Sequence, residues 1–328
     1  MRIGVNLSDL DYEQMREYAV QAEDAGLDSV WVGETWGWEA FTVLGELAQL
    51  TDEVTLGSGI VPVYTRSPAL LGQAAATVAE ATDDRFVMGL GTSGPAVIEQ
   101  WHGESFERPI GYTAETISVI RKVLSGDTVS HDGDAFELEG FRFRADRESG
   151  DVPLYVGALG KSNVRMAGAV ADGWMPIFVP RQRITELYSE FVDSAESRDR
   201  DPNGLTVQPN TVAAISEDGE TARDAVRHHI AFYVGAMGDF YHRTLSEAGY
   251  EETADAVRET WHDEGPQAAA DTVTDEVIEQ AAIVGTPEEA HTQLDAYADG
   301  PADEVVGFFP RSAEPALMES TVKYLGEY

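Results

Sequence analysis

Two short apolar runs, Val54–Val63 and Arg85–Leu90, flank an Ala-rich segment, Pro68–Ala81, whose composition predicts a helix. Each run carries or ends in a Gly-rich turn, GSGIVP at Gly57–Pro62 and GLGTSGP at Gly89–Pro95. Two strands joined by a helix of this length must lie parallel, because the crossover returns the chain to the edge from which it left. Both turns then fall at the carboxyl ends of strands, where parallel α/β proteins bind ligands.

The rest of the chain keeps this rhythm. Arg2–Leu7 and Asp28–Glu34 read as strands, with a helix over Tyr12–Ala25 (apolar at Met15, Tyr18, Ala19 and Ala22) and another over Phe41–Leu50. Further strands are expected at Val152–Gly160, in ADGWMPIFVP, at Leu205–Ile215 and at Glu304–Pro310. Helices are expected at Tyr112–Leu124, Val164–Val170, Ile184–Ala195, Thr286–Gly300 and Glu314–Leu325. Thr286, Pro287 and Glu289 form the start of a capped helix. The count of strand–helix units approaches eight, so the expected fold is α/β, a (β/α)8 TIM barrel, as one domain over residues 1–328. Two segments break the rhythm and read as insertions. Residues 125–150 carry alternating Phe136, Leu138, Phe141 and Phe143, a hairpin pattern. Residues 220–264 read as helix interrupted near Gly235–Gly238 and Gly249.

The formal charge of −37, with lysine only at Lys122, Lys161 and Lys323, predicts an acidic folded surface. Molar salt shortens electrostatic range to about 3 Å, which makes such self-repulsion tolerable, so a halophilic source is expected. Nucleic acid is excluded as a partner, because it needs a basic footprint. Cysteine is absent, which removes thiol chemistry, disulfides and cysteine metal sites. The N-terminal segment lacks a signal-peptide pattern and no run approaches about 18 apolar residues, so a soluble, cytoplasmic chain is expected with no membrane partner.

Several motifs carry chemistry. GLGTSGP does not open a helix after the first strand, which argues against a Rossmann dinucleotide site. YVGALGKSNVRMAG at Tyr155–Gly168 is a strand, a small-residue turn and a helix start; it is either a plain βα turn or a phosphate site built from free N–H groups. His228, His229 and His242 share a helical stretch without HExxH spacing, so no metal is expected.

The strings GSGIVPVYTRSPALLGQAAAT, GLGTSGP and YVGALGKSNVRMAG resemble the bacterial-luciferase-like superfamily of flavin and deazaflavin oxidoreductases, in its coenzyme F420-dependent branch. That branch includes the methylene-tetrahydromethanopterin reductases, and the resemblance implies a luciferase-like barrel. It implies a cis peptide at Gly59–Ile60, behind the cofactor ring. It implies that Thr92 and Ser93 lie near the ribityl chain and that Gly157, Ala158, Leu159 and Gly160 hold the phosphate. WVGETW at Trp31–Trp36 fills the slot that usually reads S-D-H-F or T-D-H-Y. Glu34 keeps the ring-contacting acid, whereas Thr35 replaces the catalytic His and cannot act as an acid or base near neutral pH. The reductases carry Glu on strand one where Asn6 stands here, and an amide cannot donate a proton in acid catalysis.

The implied activity is hydride transfer between F420 and an organic substrate, with 5,10-methylene-tetrahydrofolate or methylene-tetrahydromethanopterin favoured. Catalytic candidates are Glu34 and Asn6, both also cofactor contacts, with Asp9 as another acid. Trp36, Trp174, Phe232 and Tyr233 are candidate pterin contacts, although Trp174 and most of the 231–250 aromatics equally suit packing. The alternatives are an FMN-dependent monooxygenase on the same barrel and a non-catalytic flavin-binding barrel. A homo-oligomer, dimer or tetramer, is expected.

Overall fold

The computed structural model describes residues 1–145 and 151–328. Ten strands among them form one parallel sheet: β1 Arg2–Asn6, β2 Ser29–Val32, β3 Thr55–Pro62, β4 Phe86–Gly91, β7 Leu154–Gly157, β8 Gly173–Met175, β9 Thr206–Val207, β10 Asn210–Ile215, β11 Ala282–Gly285 and β12 Glu304–Phe308. Two further strands, β5 Val129–Asp132 and β6 Glu137–Phe141, pair antiparallel as a separate hairpin. The sheet order is β11-β10-β12-β1-β2-β3-β4-β7-β8-β9. The sheet closes because β9, at one end of this order, runs on in one segment into β10, which lies next to the strand at the other end. That segment receives Val306 N–H at the Pro209 carbonyl on one side, and Gln208 N–H donates to the Trp174 carbonyl on the other. The sheet thus curls into the expected TIM-barrel type.

Outer helices follow most strands: α1 Tyr12–Asp24, α2 Ala40–Leu47, α3 Pro68–Ala81, α4 Pro109–Leu124, α5 Lys161–Val170, α6 Arg181–Glu196, α7 Gly219–Ala236, α8 Asp239–Leu245, α9 Glu251–Asp263, α10 Pro266–Asp271, α11 Asp275–Ala281, α12 Pro287–Ala298 and α13 Pro315–Gly326. α1 buries Met15, Tyr18, Ala19 and Ala22, the stripe read from sequence, and starts with an Asp11–Gln14 capping box. Thr286 and Glu289 cap α12 reciprocally, with Pro287 in its first turn. None of the helices among the described residues is long and apolar enough to cross a membrane.

Inside the barrel, Trp31, Val87, Tyr155, Met175 and Val306 pack together, with Ile60 against them. The amino end is plugged by polar groups: Arg2 pairs with buried Glu304 at 3.0 Å, and Trp31 donates its indole N–H to Ser29 at 2.7 Å. The opposite end, at the strand carboxyl termini, is left to form a site.

The differences from the sequence reading have local causes. ADGWMPIFVP is strand only over Gly173–Met175; Pro176 has no N–H for the ladder, and Phe178 takes φ +54°. The expected hairpin is present, but Phe141 is 84% exposed, while Leu138 and Phe143 pack on Val119, Val123 and Val129. Residues 146–150, the end of that expected insertion, lie outside the described residues. The helical block breaks at Gly238 and Gly249, which have φ +82° and +95°. It then runs on past Glu264 through α10 and α11 to β11, none of which the apolar periodicity announced.

Candidate active site

The mouth of the barrel is organised by an irregularity in β3. Its register against β4 shifts between Ser58 and Val61, and the Gly59–Ile60 peptide is cis, as the resemblance implied. The bulge turns the Ile60 side chain across the mouth. A Cβ on Gly91 would stand 3.0 Å from Ile60 Cδ1, and one on Gly157 would stand 3.4 Å from Ile60 Cγ2. Glycine at these strand ends therefore makes room for Ile60, and together they form a flat apolar floor.

Two residues hold the bulge from below. Asn6, 5% exposed, donates from Nδ2 to the Gly59 carbonyl at 3.2 Å. Its Oδ1 accepts the Ser8 N–H at 3.0 Å and the Ser8 hydroxyl. Ser8 Oγ in turn accepts the Gly33 N–H at 2.6 Å. Asn6 is thus a support for the bulge, spent on both its amide faces.

Glu34, just past β2, is committed elsewhere. Arg66 donates to its two carboxylate oxygens at 2.8 Å each, and the Ala40 N–H donates to Oε2 at 3.1 Å. Arg66 also pairs with Glu39, the residue that caps α2. A carboxylate gripped by a guanidinium fork is an acceptor on both oxygens. This geometry ties the loop 33–39 to the loop after β3. Trp36, 53% exposed, stands on that tied loop at the rim, beside Trp38, which packs edge-on to Tyr12 at 5.3 Å.

After β4 the chain turns at Thr92 and Ser93, both half-buried, with Ser93 at φ +57°. After β7, Gly157, Ala158, Leu159 and Gly160 lead into α5, whose N-cap Gly160 offers no side-chain hydrogen bond. Its first-turn N–H groups keep the unbalanced positive end of the helix, and Lys161 and Ser162 start that turn. Trp174 departs from its expected place among substrate contacts. It is wholly buried, packs on Phe191 at 5.8 Å and donates its indole N–H to the Ala158 carbonyl at 2.8 Å. With both ring faces inside the core, it supports the 157–160 turn and cannot stack on a ligand.

The remaining wall is aromatic. Tyr233 on α7 stacks on His229 at 4.6 Å and on Phe178 at 5.7 Å, and meets Tyr241 on α8 edge-on at 4.7 Å. Phe232 stands on the same helix with the Arg311 guanidinium 4.3 Å above its ring. His229 Nδ1 accepts the Arg311 backbone N–H at 3.1 Å, and its buried Nε2 has no hydrogen-bond partner among the described residues. Burial drives its proton affinity down to about 3, with Arg311 adding to the effect, so the ring is neutral. Asp9, in the loop after β1, completes the wall. It is open to solvent, yet the protein around it raises its carboxyl above the ordinary range, with Arg311 opposing. Both observations hold for a group that water reaches on one side while protein surrounds it on the others. Among the described residues no group of three His, Asp or Glu is arranged to hold a metal ion.

A family model described as luciferase-like monooxygenase matches residues 2–304. The chain belongs to that family. A 5,10-methylenetetrahydromethanopterin reductase of Methanolobus tindarius is 27% identical over 317 residues, spanning 96% of this chain and 94% of the relative. An F420-dependent glucose-6-phosphate dehydrogenase of Amycolatopsis mediterranei is 26% identical over 311 residues, 88% of this chain and 86% of the relative. The structure of the coenzyme F420-dependent tetrahydromethanopterin reductase from Methanopyrus kandleri superposes with a TM-score of 0.88 at 22% identity, covering 99% of this chain and 97% of that one.

In this luciferase-like chain Arg66, Phe178 and Arg311 are not among the residues that the sequence points to, Tyr241 is there only as one of the 231–250 aromatics, and His229 only as a possible metal ligand. Arg66 stood inside the quoted string VYTRSP, where its charge beside a Gly-rich turn was the available signal. Tyr241 lies in the 231–250 aromatic run, whereas Phe178 and Arg311 come from distant segments that nothing local in the sequence joins to it.

Proposed function

We propose that this protein transfers hydride between coenzyme F420 and an organic substrate. The observation that carries this is the shape of the mouth: an Ile60 floor cleared by Gly91 and Gly157, continuous with the uncapped start of α5. A planar ring fits against an apolar floor, and a phosphate fits at free helix N–H groups. F420, when bound, supplies a two-electron carrier that gives or takes hydride at one ring carbon. In this reading Ile60 and Gly59 back the ring, Thr92 and Ser93 meet its polyol chain, and residues 157–160 with Lys161 and Ser162 hold its phosphate. Asn6 and Glu34 keep the floor and its rim in position. Relatives that act on glucose 6-phosphate and on a pterin share the cofactor named in their descriptions, which supports F420 and leaves the substrate to the mouth.

The favoured substrate is 5,10-methylene-tetrahydrofolate or methylene-tetrahydromethanopterin, because the half-buried rings of Phe232, Tyr233 and Tyr241, backed by the buried Phe178, suit a flat heterocycle. The competing reading, an FMN-dependent monooxygenase, draws support from the family's own description.

Titration of the protein with F420 and with FMN in molar KCl, followed by fluorescence, separates the two. Tighter F420 binding is expected, together with loss of reduced F420 when methylene-tetrahydrofolate is added. Micromolar FMN binding without an F420 response, or oxygen uptake with reduced FMN, overturns the reading.

A further inference from the structure

We propose that Asp9 is the proton donor of this mouth, serving a substrate that carries a basic nitrogen in a flat ring system. The inference rests on the hydride-transfer reading above, and it assigns a role the strand-one position cannot fill. Asn6 is spent on the bulge and Glu34 on Arg66. Asp9 alone of the three candidate positions is uncommitted: among the described residues it has neither a hydrogen bond nor an ion pair within 4 Å.

Its surroundings suit a group that must hold a proton and release it. Arg311 faces it from the loop after β12, close enough to act electrostatically. The charge of Asp9 also acts on the phenols of Tyr233 from α7 and Tyr241 from α8, whose rings meet edge-on at 4.7 Å. Burial, with the Asp9 charge adding to it, pushes Tyr241 to about 12 and Tyr233 upward too. Both phenols therefore remain neutral donors, and neither hydroxyl has a hydrogen-bond partner among the described residues. His229 is neutral, and because Nδ1 accepts from the Arg311 N–H, its proton sits on Nε2. Of these groups, the carboxyl of Asp9 is both open to water and held above its ordinary range by the protein around it.

The step balances as follows. A reduced deazaflavin held against Ile60 would supply the two electrons, as hydride, to the one-carbon bridge. The bond from that carbon to one of the two nitrogens it bridges breaks, and that nitrogen takes the proton of Asp9 while the carbon stays on the other as a methyl group. Asp9 is left as carboxylate and recovers its proton from water through the open mouth. Tyr233 and Tyr241 offer O–H groups to polar atoms of the ring, with Phe178 behind them.

The test compares wild type with Asp9→Asn and Tyr241→Phe in molar KCl. Carbon-13 carboxyl NMR of aspartate-labelled protein identifies the Asp9 signal by its loss in Asp9→Asn. That signal is expected to titrate above the ordinary aspartate range; one that titrates at or below that range overturns the proposal, whatever the substrate. With reduced F420 and methylene-tetrahydrofolate, Asp9→Asn should lower kcat by about 10²–10⁴ with F420 affinity unchanged, and Tyr241→Phe should raise KM more than it lowers kcat. Near-normal kcat in Asp9→Asn overturns the proposal. A wild type that binds F420 but leaves methylene-tetrahydrofolate untouched defeats the substrate reading instead, and the NMR titration still decides the standing of Asp9.

Discussion

The side-chain amide of Asn6 donates to the Gly59 carbonyl at 3.2 Å, so the end of β1 holds the bulge of β3 from within the barrel. Asparagine is needed because one end must donate to Gly59 while the other accepts from Ser8. Asn6→Asp would set a carboxylate oxygen against the Gly59 carbonyl. We expect this variant to lose about 1–3 kcal/mol of stability, the range for a buried group left without its partner, and to bind F420 at least tenfold more weakly. A fluorescence titration beside a thermal melt checks both, and unchanged cofactor affinity would separate the bulge from the binding site.

Glu34→Gln should act mainly on folding. Side-chain exposures of 9% for Glu34 and 15% for Arg66 place the pair between surface and buried ion pairs. Its loss should therefore cost about 2–3 kcal/mol. The melting temperature is expected to fall by several degrees, with Arg66→Met giving a similar drop and the double variant little more. A normal melt with collapsed turnover in Glu34→Gln would return the acid role to Glu34.

His229 gives the acid limb of stability a defined contribution. Its ring charges near 6.5 when unfolded and only near 3 when folded. Between those values the unfolded chain binds the extra proton, so stability falls as pH drops through that window, by up to about 1.4 kcal/mol per pH unit. His229→Phe should flatten this slope between pH 6 and 4, whatever it does to the absolute melting temperature. Melting curves over that range in both proteins measure it; parallel slopes would mean His229 gains a proton without unfolding.

Salt should stabilise the chain. With a formal charge of −37, repulsion across the surface weakens as ionic strength rises. The melting temperature is expected to climb steadily from dilute buffer to molar KCl, by calorimetry at fixed pH. A flat profile would show that the surface ion pairs, such as Arg227 with Asp224 and Asp275, already offset the excess.

The sequence by itself determined the parallel sheet, since strand and helix alternated with Gly-rich turns at strand ends and no other topology satisfies that order. It also determined the helix starts at Thr286 and the breaks at Gly238 and Gly249, because caps and left-handed glycines act within a few residues. Through its resemblance it marked Gly59–Ile60 and the 157–160 turn. Only the tertiary structure decided what each polar side chain meets. Arg66 reaches Glu34 across 32 residues, the Arg311 N–H reaches His229 across 82, and Trp174 turns inward to Ala158 rather than toward a ligand. These outcomes depend on where the curled sheet brings separate loops together, and hydrogen bonds and charge pairs are decided at that range, beyond the reach of local pattern.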